Sequence, residues 1–195
     1  MRALFFSLFI VILDQFTKLM VKGVSIPFFG INFTGMPYGV SRPIIGDFVR
    51  LTYIENAGMA FGFDFGGKHF FGIVSILASI FIIIYLFKMR HSNFSFRISL
   101  ALILGGACGN LIDRVFYGVF FDYGPLFYGR VVDFMDIDFF NIKIFSYNLD
   151  RWPIFNIADA SVTIGVILLL FFHHKTVSTT IETKNIDTAD KQTEV

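Results

Sequence analysis

The sequence has little cysteine, histidine and charge, and each shortage excludes a class of protein. Its 195 residues include one cysteine, Cys108, which excludes an intrachain disulfide and a cysteine-based metal site. The histidines, His69, His91, His173 and His174, are scattered and form no HExxH motif, so the sequence does not indicate a zinc peptidase. A net charge of +1 gives no attraction to nucleic acid. We therefore expect neither a nucleic-acid partner nor a cofactor.

Hydrocarbon side chains are abundant instead. Apolar residues make up 55% of the chain, phenylalanine alone contributes 28 residues, and only 16% of the residues are charged. Soluble domains carry about a quarter charged residues, so this composition is that of a membrane protein. The N-terminus begins with Arg2 and an apolar run but has no small-x-small cleavage site and continues to Asp14 and Lys18. We predict that it is a retained first span and not a cleaved signal peptide.

Four apolar stretches approach the ~20 residues that a membrane-spanning helix needs. The predicted spans are Ala3–Val21, His69–Phe87, Ile98–Phe116 and Ile154–Phe172. Each should be a helix, since an isolated span must satisfy its own backbone hydrogen bonds. The predicted fold is an all-α membrane protein with four transmembrane helices in a single domain, residues 1–175. The polar tail, residues 176–195, is predicted to be disordered.

The short link between the second and third spans predicts the orientation. It carries Lys88, Arg90 and Arg97 and no acidic residue, so it should be cytoplasmic, with both termini on that side. The two longer segments, residues 22–68 and 117–153, then lie outside. In the first, the alternating VRLTYIEN and the turn TGMPYG predict a small extracytoplasmic β-sheet. The second, rich in aromatic residues, is predicted to form a loop or helix at the bilayer interface.

Polar residues gather at one depth of this topology. They lie at the outer ends of the spans or just outside them: Asp14, Lys18, Asn56, Asn110, Asp113, Arg114, Asp133, Asn156 and Asp159. Asp159 is the only charged residue in its span, and an intramembrane acid usually has a function. A shared polar pocket near the outer interface would explain the clustering.

Structural roles compete with functional ones at several of these positions. Asp14 and Lys18 have the i, i+4 spacing of a local salt bridge. The glycines of GGACGN, among them Gly105 and Gly106, are suited to close helix packing. Asp136 and Asp138 alternate in MDIDF, so we predict that they lie on the solvated face of a strand.

Two carboxylates close together in a pocket of low dielectric constant share one proton, which suits peptide hydrolysis by general acid and base. Asp159 would be one of them, and spacing leaves the second open among Asp14, Asp113, Asp133, Asp136 and Asp138. Three rivals remain: a proton-coupled transporter using Asp159 and Asp14, a serine–lysine peptidase using Ser161 and Lys18, and a non-enzymatic scaffold. The absence of internal repeats disfavours the transporter.

Five motifs in order resemble the lipoprotein signal peptidase family, signal peptidase II. They are DQFTK from Asp14, ENAGMAFG from Glu55, GGACGNLIDR from Gly105, VVDF from Val131 and FNIAD from Phe155. The stretches GINFTGMPYGVSRPIIGD and FFDYGPLFYG are additions that interrupt no motif.

The resemblance implies that Asp133 and Asp159 form the catalytic pair. It implies supporting or substrate-binding roles for Asp14, Lys18, Asn56, Gly58, Ala60, Gly106, Asn110, Asp113, Arg114, Asn156 and Ala158. It also implies a metal-free aspartic peptidase of the bacterial inner membrane with an extramembrane β-cradle. The expected substrates are diacylglyceryl-modified prolipoproteins, cut before the lipidated cysteine near the outer face. Membrane lipid is the other expected partner, and a monomer is the expected oligomeric state.

Overall fold

The computed structural model describes residues 2–60, 63–64, 70–138, 142–144, 147–149 and 151–172. The helices are α1 (Ala3–Lys22), α2 (Phe70–Lys88), α3 (Phe94–Phe120) and α4 (Ile157–Phe172). The strands are β1 (Gly23–Ile26), β2 (Ile31–Thr34), β3 (Ser41–Ile45), β4 (Val49–Asn56), β5 (Met59–Ala60), β6 (Phe63–Asp64), β7 (Val131–Ile137), β8 (Ile142–Ile144) and β9 (Tyr147–Leu149). His69, His173, His174 and the predicted tail lie outside the described residues.

Three of the helices, α1, α2 and α3, are long and apolar enough to cross a membrane. The fourth predicted span does not begin at Ile154 as expected, because residues 154–156 are extended and Phe155 forms a β-bridge with Met135. Helix α4 is accordingly shorter than the other three. Helix α3 begins earlier than predicted, because the side chain of Asn93 caps it by accepting the Ser95 N–H at 3.0 Å. Arg97 therefore lies inside this helix and not in the link before it.

Helix α3 is the centre of the bundle, and α1 and α2 both pack against it. Its side with α2 is apolar, with Ile82 and Leu86 against Phe96 and Leu100. Two serines make polar contacts between helices: Ser7 Oγ donates to the Ala101 carbonyl at 2.7 Å and Ser161 Oγ to the Leu102 carbonyl at 2.9 Å. Such bonds between spans suit an apolar surrounding that offers no other partner.

The predicted close packing at the GGACGN glycines is confirmed. A Cβ atom added at Gly105 would lie 2.9 Å from the Cβ of Ile10 on α1. One added at Gly106 would lie 2.3 Å from the carbonyl oxygen of Ala158 on α4. Both distances are far inside van der Waals contact. Only glycine at these positions lets α3 approach its two neighbours so closely.

The predicted sheet is also present, and VRLTYIEN forms β4. Strands β3, β4 and β7 form one antiparallel sheet, in which Ile54 of β4 lies opposite Asp133 of β7. Val132 and Phe134 pack into a core with Val21 at the end of α1. Because side chains alternate along a strand, Asp133 points to the other face of β7, away from this core.

The prediction that Asp136 lies on a solvated face is wrong. Asp136 is buried, accepts a hydrogen bond from Thr52 Oγ1 at 2.7 Å, and pairs with Arg151 Nε at 2.5 Å. Arg151 and residues 152–156 run beside β7, with the Trp152 N–H donating to the Ile137 carbonyl at 3.0 Å. This arm leads directly into α4. Its register against β7 therefore sets where α4 begins relative to Asp133.

Candidate active site

The N-terminus of α4 is closed by a reciprocal cap made from the FNIAD motif. Asn156 Oδ1 accepts the Asp159 N–H at 2.9 Å, and Asp159 Oδ2 accepts the Asn156 N–H at 3.2 Å. This is the capping-box arrangement, here with an aspartate at the third helical position. The helix dipole stabilises a negative charge in this first turn. The motif therefore starts the helix and fixes the Asp159 carboxylate at the same time.

Two asparagine amides connect Asp133 and Asp159. Asn156 Nδ2 donates to Asp133 Oδ1 at 2.7 Å, and Asn110 Nδ2 donates to Asp159 Oδ1 at 2.7 Å. The two amides also bond each other, from Asn156 Nδ2 to Asn110 Oδ1 at 3.1 Å. Each carboxylate thus has one oxygen held by an amide donor, and β7, α3 and α4 meet at this point.

A buried ionic cluster lies behind the asparagines. Lys18 Nζ is 2.8 Å from Asp14 Oδ2 and 2.8 Å from Asp113 Oδ2, and it donates to Asn110 Oδ1 at 2.9 Å. Side chains of all three charged residues are fully buried. An ammonium group has three N–H donors, so these three acceptors use all of them. The Asp14–Lys18 pair is the predicted local salt bridge, extended across the bundle by Asp113.

The cluster also holds both segments that carry the site aspartates. Asp14 Oδ1 accepts the Ala158 N–H of α4 at 2.9 Å, and Asp113 Oδ2 accepts the Val132 N–H of β7 at 3.1 Å. A Cβ atom at Gly109 would lie 2.6 Å from Asp14 Oδ2, so the cluster fits only against a bare backbone. These contacts give Asp14 and Asp113 a positioning role through α4 and β7.

Gln15, which lies in the DQFTK motif but is not among the predicted site residues, also belongs to this network. Its Nε2 donates to Asp113 Oδ1 at 2.8 Å and to the Gly109 carbonyl at 3.1 Å, and its Oε1 accepts the Tyr117 O–H at 3.0 Å. The sequence feature that indicates this role is an amide side chain inside an apolar helix, next to Asp14.

Arg151, which holds the arm before α4, is not predicted from the sequence for a different reason: it lies in a segment without periodicity.

The electrostatics of Asp133 are unusual for a carboxyl group. Burial, and after it the negative charge of Asp159, raise the pKa of Asp133 to about 7. The hydrogen bond from Asn156 opposes this rise. Two carboxylates that repel each other in a buried site share a proton in this way. At neutral pH the pair can therefore hold an acid and a base together.

A cavity of about 440 Å³ opens beside Asp159, which is the size of a small-ligand site. Its lining is mostly apolar, with Trp152 and Phe155 from the arm and Ala160, Thr163 and Ile164 from α4. The half-buried carboxylate of Asp159 is the acidic group in this lining. The cavity therefore leaves room for a ligand beside the Asp159 carboxylate.

Four predicted residues lie around these networks. The guanidinium of Arg114 is 5.8 Å from the centre of the Phe71 ring, and its Nε is buried without a hydrogen bond in the described part of the chain. Asn56 Oδ1 accepts the Gly58 N–H at 2.9 Å in the turn after β4, where Gly58 adopts a φ of 103° that favours glycine. Ala60 belongs to β5. The described hydrogen bonds join Asp133, Asp159, Asn110 and Asn156. The guanidinium of Arg114 interacts electrostatically with Asp159, Asp113 and Asp133.

The structure disfavours the serine–lysine arrangement. Ser161 Oγ donates to the Leu102 carbonyl, and Lys18 is held as a cation between two carboxylates. A serine nucleophile needs a neutral lysine within hydrogen-bond reach, and neither condition is met. Among the described residues, no group of three or more histidine, cysteine or acidic side chains could hold a metal ion.

Comparison with known proteins gives a consistent result over most of the chain. The family model described as "Signal peptidase (SPase) II" matches residues 6–175. The chain is 38% identical over 175 residues to a lipoprotein signal peptidase of Pelodictyon phaeoclathratiforme, covering 88% of this chain and 90% of that protein. It is 34% identical over 171 residues to one from Chlorobium phaeobacteroides, covering 87% and 89%. A solved bacterial membrane enzyme superposes with a TM-score of 0.66 at 32% identity, covering 91% of this chain and 90% of that one.

Proposed function

Because the chain belongs to the signal peptidase II family, we propose that it is an intramembrane aspartic endopeptidase. Its substrates would be diacylglyceryl-modified prolipoproteins, from which it removes the signal peptide by cutting before the lipidated cysteine. Membership of this family supports a role in the removal of signal peptides from prolipoproteins. The observation that carries the aspartic mechanism is the hydrogen-bonded connection of Asp133 and Asp159 through Asn156 and Asn110.

In the proposed reaction the two aspartates have different roles. The ionised carboxylate of Asp159, stabilised by amide donors and the α4 N-terminus, takes a proton from a water molecule, whose oxygen attacks the scissile carbonyl carbon. Asp133, which retains its proton, donates it to the carbonyl oxygen as the tetrahedral intermediate forms. The proton on Asp159 then passes to the leaving amide nitrogen, the C–N bond breaks, and one hydroxyl group of the intermediate returns its proton to Asp133, which leaves a carboxylic acid product and restores both aspartates. The raised pKa of Asp133 supports this assignment.

We also propose the membrane arrangement that the sequence predicts. The chain is a bacterial membrane protein of one domain, residues 1–175, and acts as a monomer in the inner membrane. Helix α4 would be the fourth span, both termini would be cytoplasmic, and the site would lie near the outer face. Supporting this, α2 ends at Lys88 and the link from it to α3, residues 89–93, includes Arg90, while the sheet residues all fall between spans at the other end.

Turnover of matched lipidated and unlipidated preprolipoprotein tests the proposed substrate. We expect the lipidated form to be cleaved on the order of 100-fold faster, because the acyl chains anchor it and fix the scissile bond, where ~1 Å of misplacement can cost ~100-fold. Rates are measured in one nanodisc preparation at saturating substrate, with Asp133→Asn as the blank. Equal rates would show that the lipid only tethers the substrate to the membrane. If neither form were cleaved, the proposed activity would be contradicted.

The pH dependence of cleavage follows from Asp133. Because its pKa is raised to about 7, the proton that it donates is present below that pH and lost above it. The specificity constant should therefore fall about tenfold per pH unit above pH 7, as a property of the coupled pair. The measurement is kcat/KM against pH, with thermal unfolding recorded at each pH as a control for folding. A flat profile to pH 9 would show that Asp133 is not the acid.

A further inference from the structure

Strands β1 and β2 form an isolated hairpin, residues 23–34, directly after α1. It shares no hydrogen-bonded pairing with the sheet of β3, β4 and β7 among the strands that the structure describes. A two-stranded hairpin is marginally stable in water unless something packs on it. Its base is held firmly: the Met36 N–H donates to the Val21 carbonyl at 2.7 Å, and a Cβ at Gly35 would lie 2.3 Å from that same oxygen. The hairpin thus projects from the end of α1 in a fixed direction.

One face and the tip of this hairpin are apolar. Val24 lies opposite Phe33, and Ile26 opposite Ile31, which places these four side chains on one face, while Ser25 and Asn32 pair on the other. At the tip, Pro27–Phe29 form a short 3₁₀ turn in which Phe28 is 90% and Phe29 70% exposed. These are among the most exposed large apolar side chains of the described residues.

The residues before and within the hairpin indicate that lipid, and not protein, contacts its apolar face. Helix α1 exposes Phe5, Phe9, Ile12, Phe16 and Met20, a stripe at helical spacing that faces lipid in a spanning helix. The hairpin follows this helix directly, since Gly23 comes after Lys22. Residues 23–41 contain no charged side chain, so the hairpin can enter an apolar layer without the cost of burying a charge. Four residues per strand reach only ~13 Å, so the tip stays near the level at which α1 leaves the hydrocarbon.

We propose that the apolar face and the Phe28–Phe29 tip of this hairpin insert into the interfacial layer of the same bilayer that α1 crosses. Ser25 and Asn32 help to line a cavity of about 390 Å³ that also contacts Tyr53, Phe121 and Tyr123, and water would fill it. The hairpin then acts as a lipid anchor beside the bundle and holds the outer end of α1, where Lys22 contacts Glu55 of β4, at a fixed depth. This inference concerns the membrane placement of α1 and does not depend on the proposed catalytic chemistry.

Site-directed spin labelling tests the anchor without any substrate. In a Cys108→Ala background, Phe28→Cys and Asn32→Cys are each labelled with a nitroxide, and the full chain is placed in nanodiscs of phosphatidylcholine and phosphatidylglycerol at 3:1. For Phe28→Cys, oxygen should broaden the signal at least about fivefold more than a water-soluble nickel chelate does. Asn32→Cys, on the opposite face of the same hairpin, should show the reverse preference. Phe29→Cys provides a second tip position should the label at 28 disturb the fold.

Two results would overturn the proposal. Nickel broadening as strong at position 28 as at position 32 would place the tip in water. Protection of position 28 from both oxygen and nickel would show that protein, such as a second copy of the chain, covers it. Since no cleavage is measured, either result leaves the proposed peptidase activity untouched, and loss of that activity would leave the anchor standing.

Discussion

Asp133→Asn and Asp159→Asn are each expected to reduce prolipoprotein cleavage on the order of 10⁴-fold or more, as for members of a catalytic unit, while the protein stays folded. An asparagine cannot take or give the proton that the reaction needs. Its one amide oxygen can, however, still accept the hydrogen bond that Asn156 donates to Asp133, or that Asn110 donates to Asp159, although Asp159→Asn then loses the bond from the Asn156 N–H. The fold should therefore survive the loss of catalysis, which separates this prediction from simple destabilisation.

The double variant sharpens this test. In the proposed mechanism the two aspartates act as a unit, so Asp133→Asn combined with Asp159→Asn should be no slower than either single variant. Asp138→Asn is the matched control, because Asp138 follows the same strand β7 and pairs only loosely with Arg151, at 3.7 Å. It should retain turnover within about twofold. If Asp133→Asn cleaved substrate nearly as fast as the unchanged chain, the general acid would be another carboxylate, and Asp136 would be tested next.

The sequence was most informative where the physics is local. Apolar length predicted α1 to within one residue at its C-terminal end, and alternation predicted β4 as VRLTYIEN. The gathering of polar residues in otherwise apolar spans predicted that their side chains meet, and Asp159, Asn110 and Asn156 are joined by hydrogen bonds. A polar group in hydrocarbon needs a partner, so composition alone indicates that such groups meet.

Long-range contacts explain what the sequence did not predict. Asp136 alternates with apolar neighbours as a solvated residue would, but Arg151, fifteen positions later, covers it. The start of α4 was misplaced because hydropathy does not distinguish Ile154 from Ile157, whereas the pairing of Phe155 with β7 does. Choosing Asp133 as the partner of Asp159 likewise required the strand register or the family resemblance, since the spacing allowed five candidates.

Lys18→Met is expected to lower the free energy of unfolding by about 3–5 kcal/mol, the cost of removing one member of a buried ion pair. Methionine matches the length of the lysine side chain, so the loss would come from charge and not from a cavity. Without the ammonium, the fully buried Asp14 and Asp113 face each other with no cation between them. Both carboxylates also accept backbone N–H groups of α4 and β7, so the loss should spread to the catalytic geometry.

Unfolding of the detergent-solubilised chain, followed by circular dichroism, measures this loss. Lys18→Met combined with Asp113→Asn should recover part of it, because one of the two unpaired charges is gone while the side-chain amide introduced by the second substitution can still accept the Val132 N–H. Lys88→Met is the control: it removes the same charge from the exposed end of α2 and should change the free energy by less than about 0.5 kcal/mol. If Lys18→Met unfolds like the unchanged chain yet cleaves no substrate, Lys18 acts in the reaction itself and the cluster is not the support of the site.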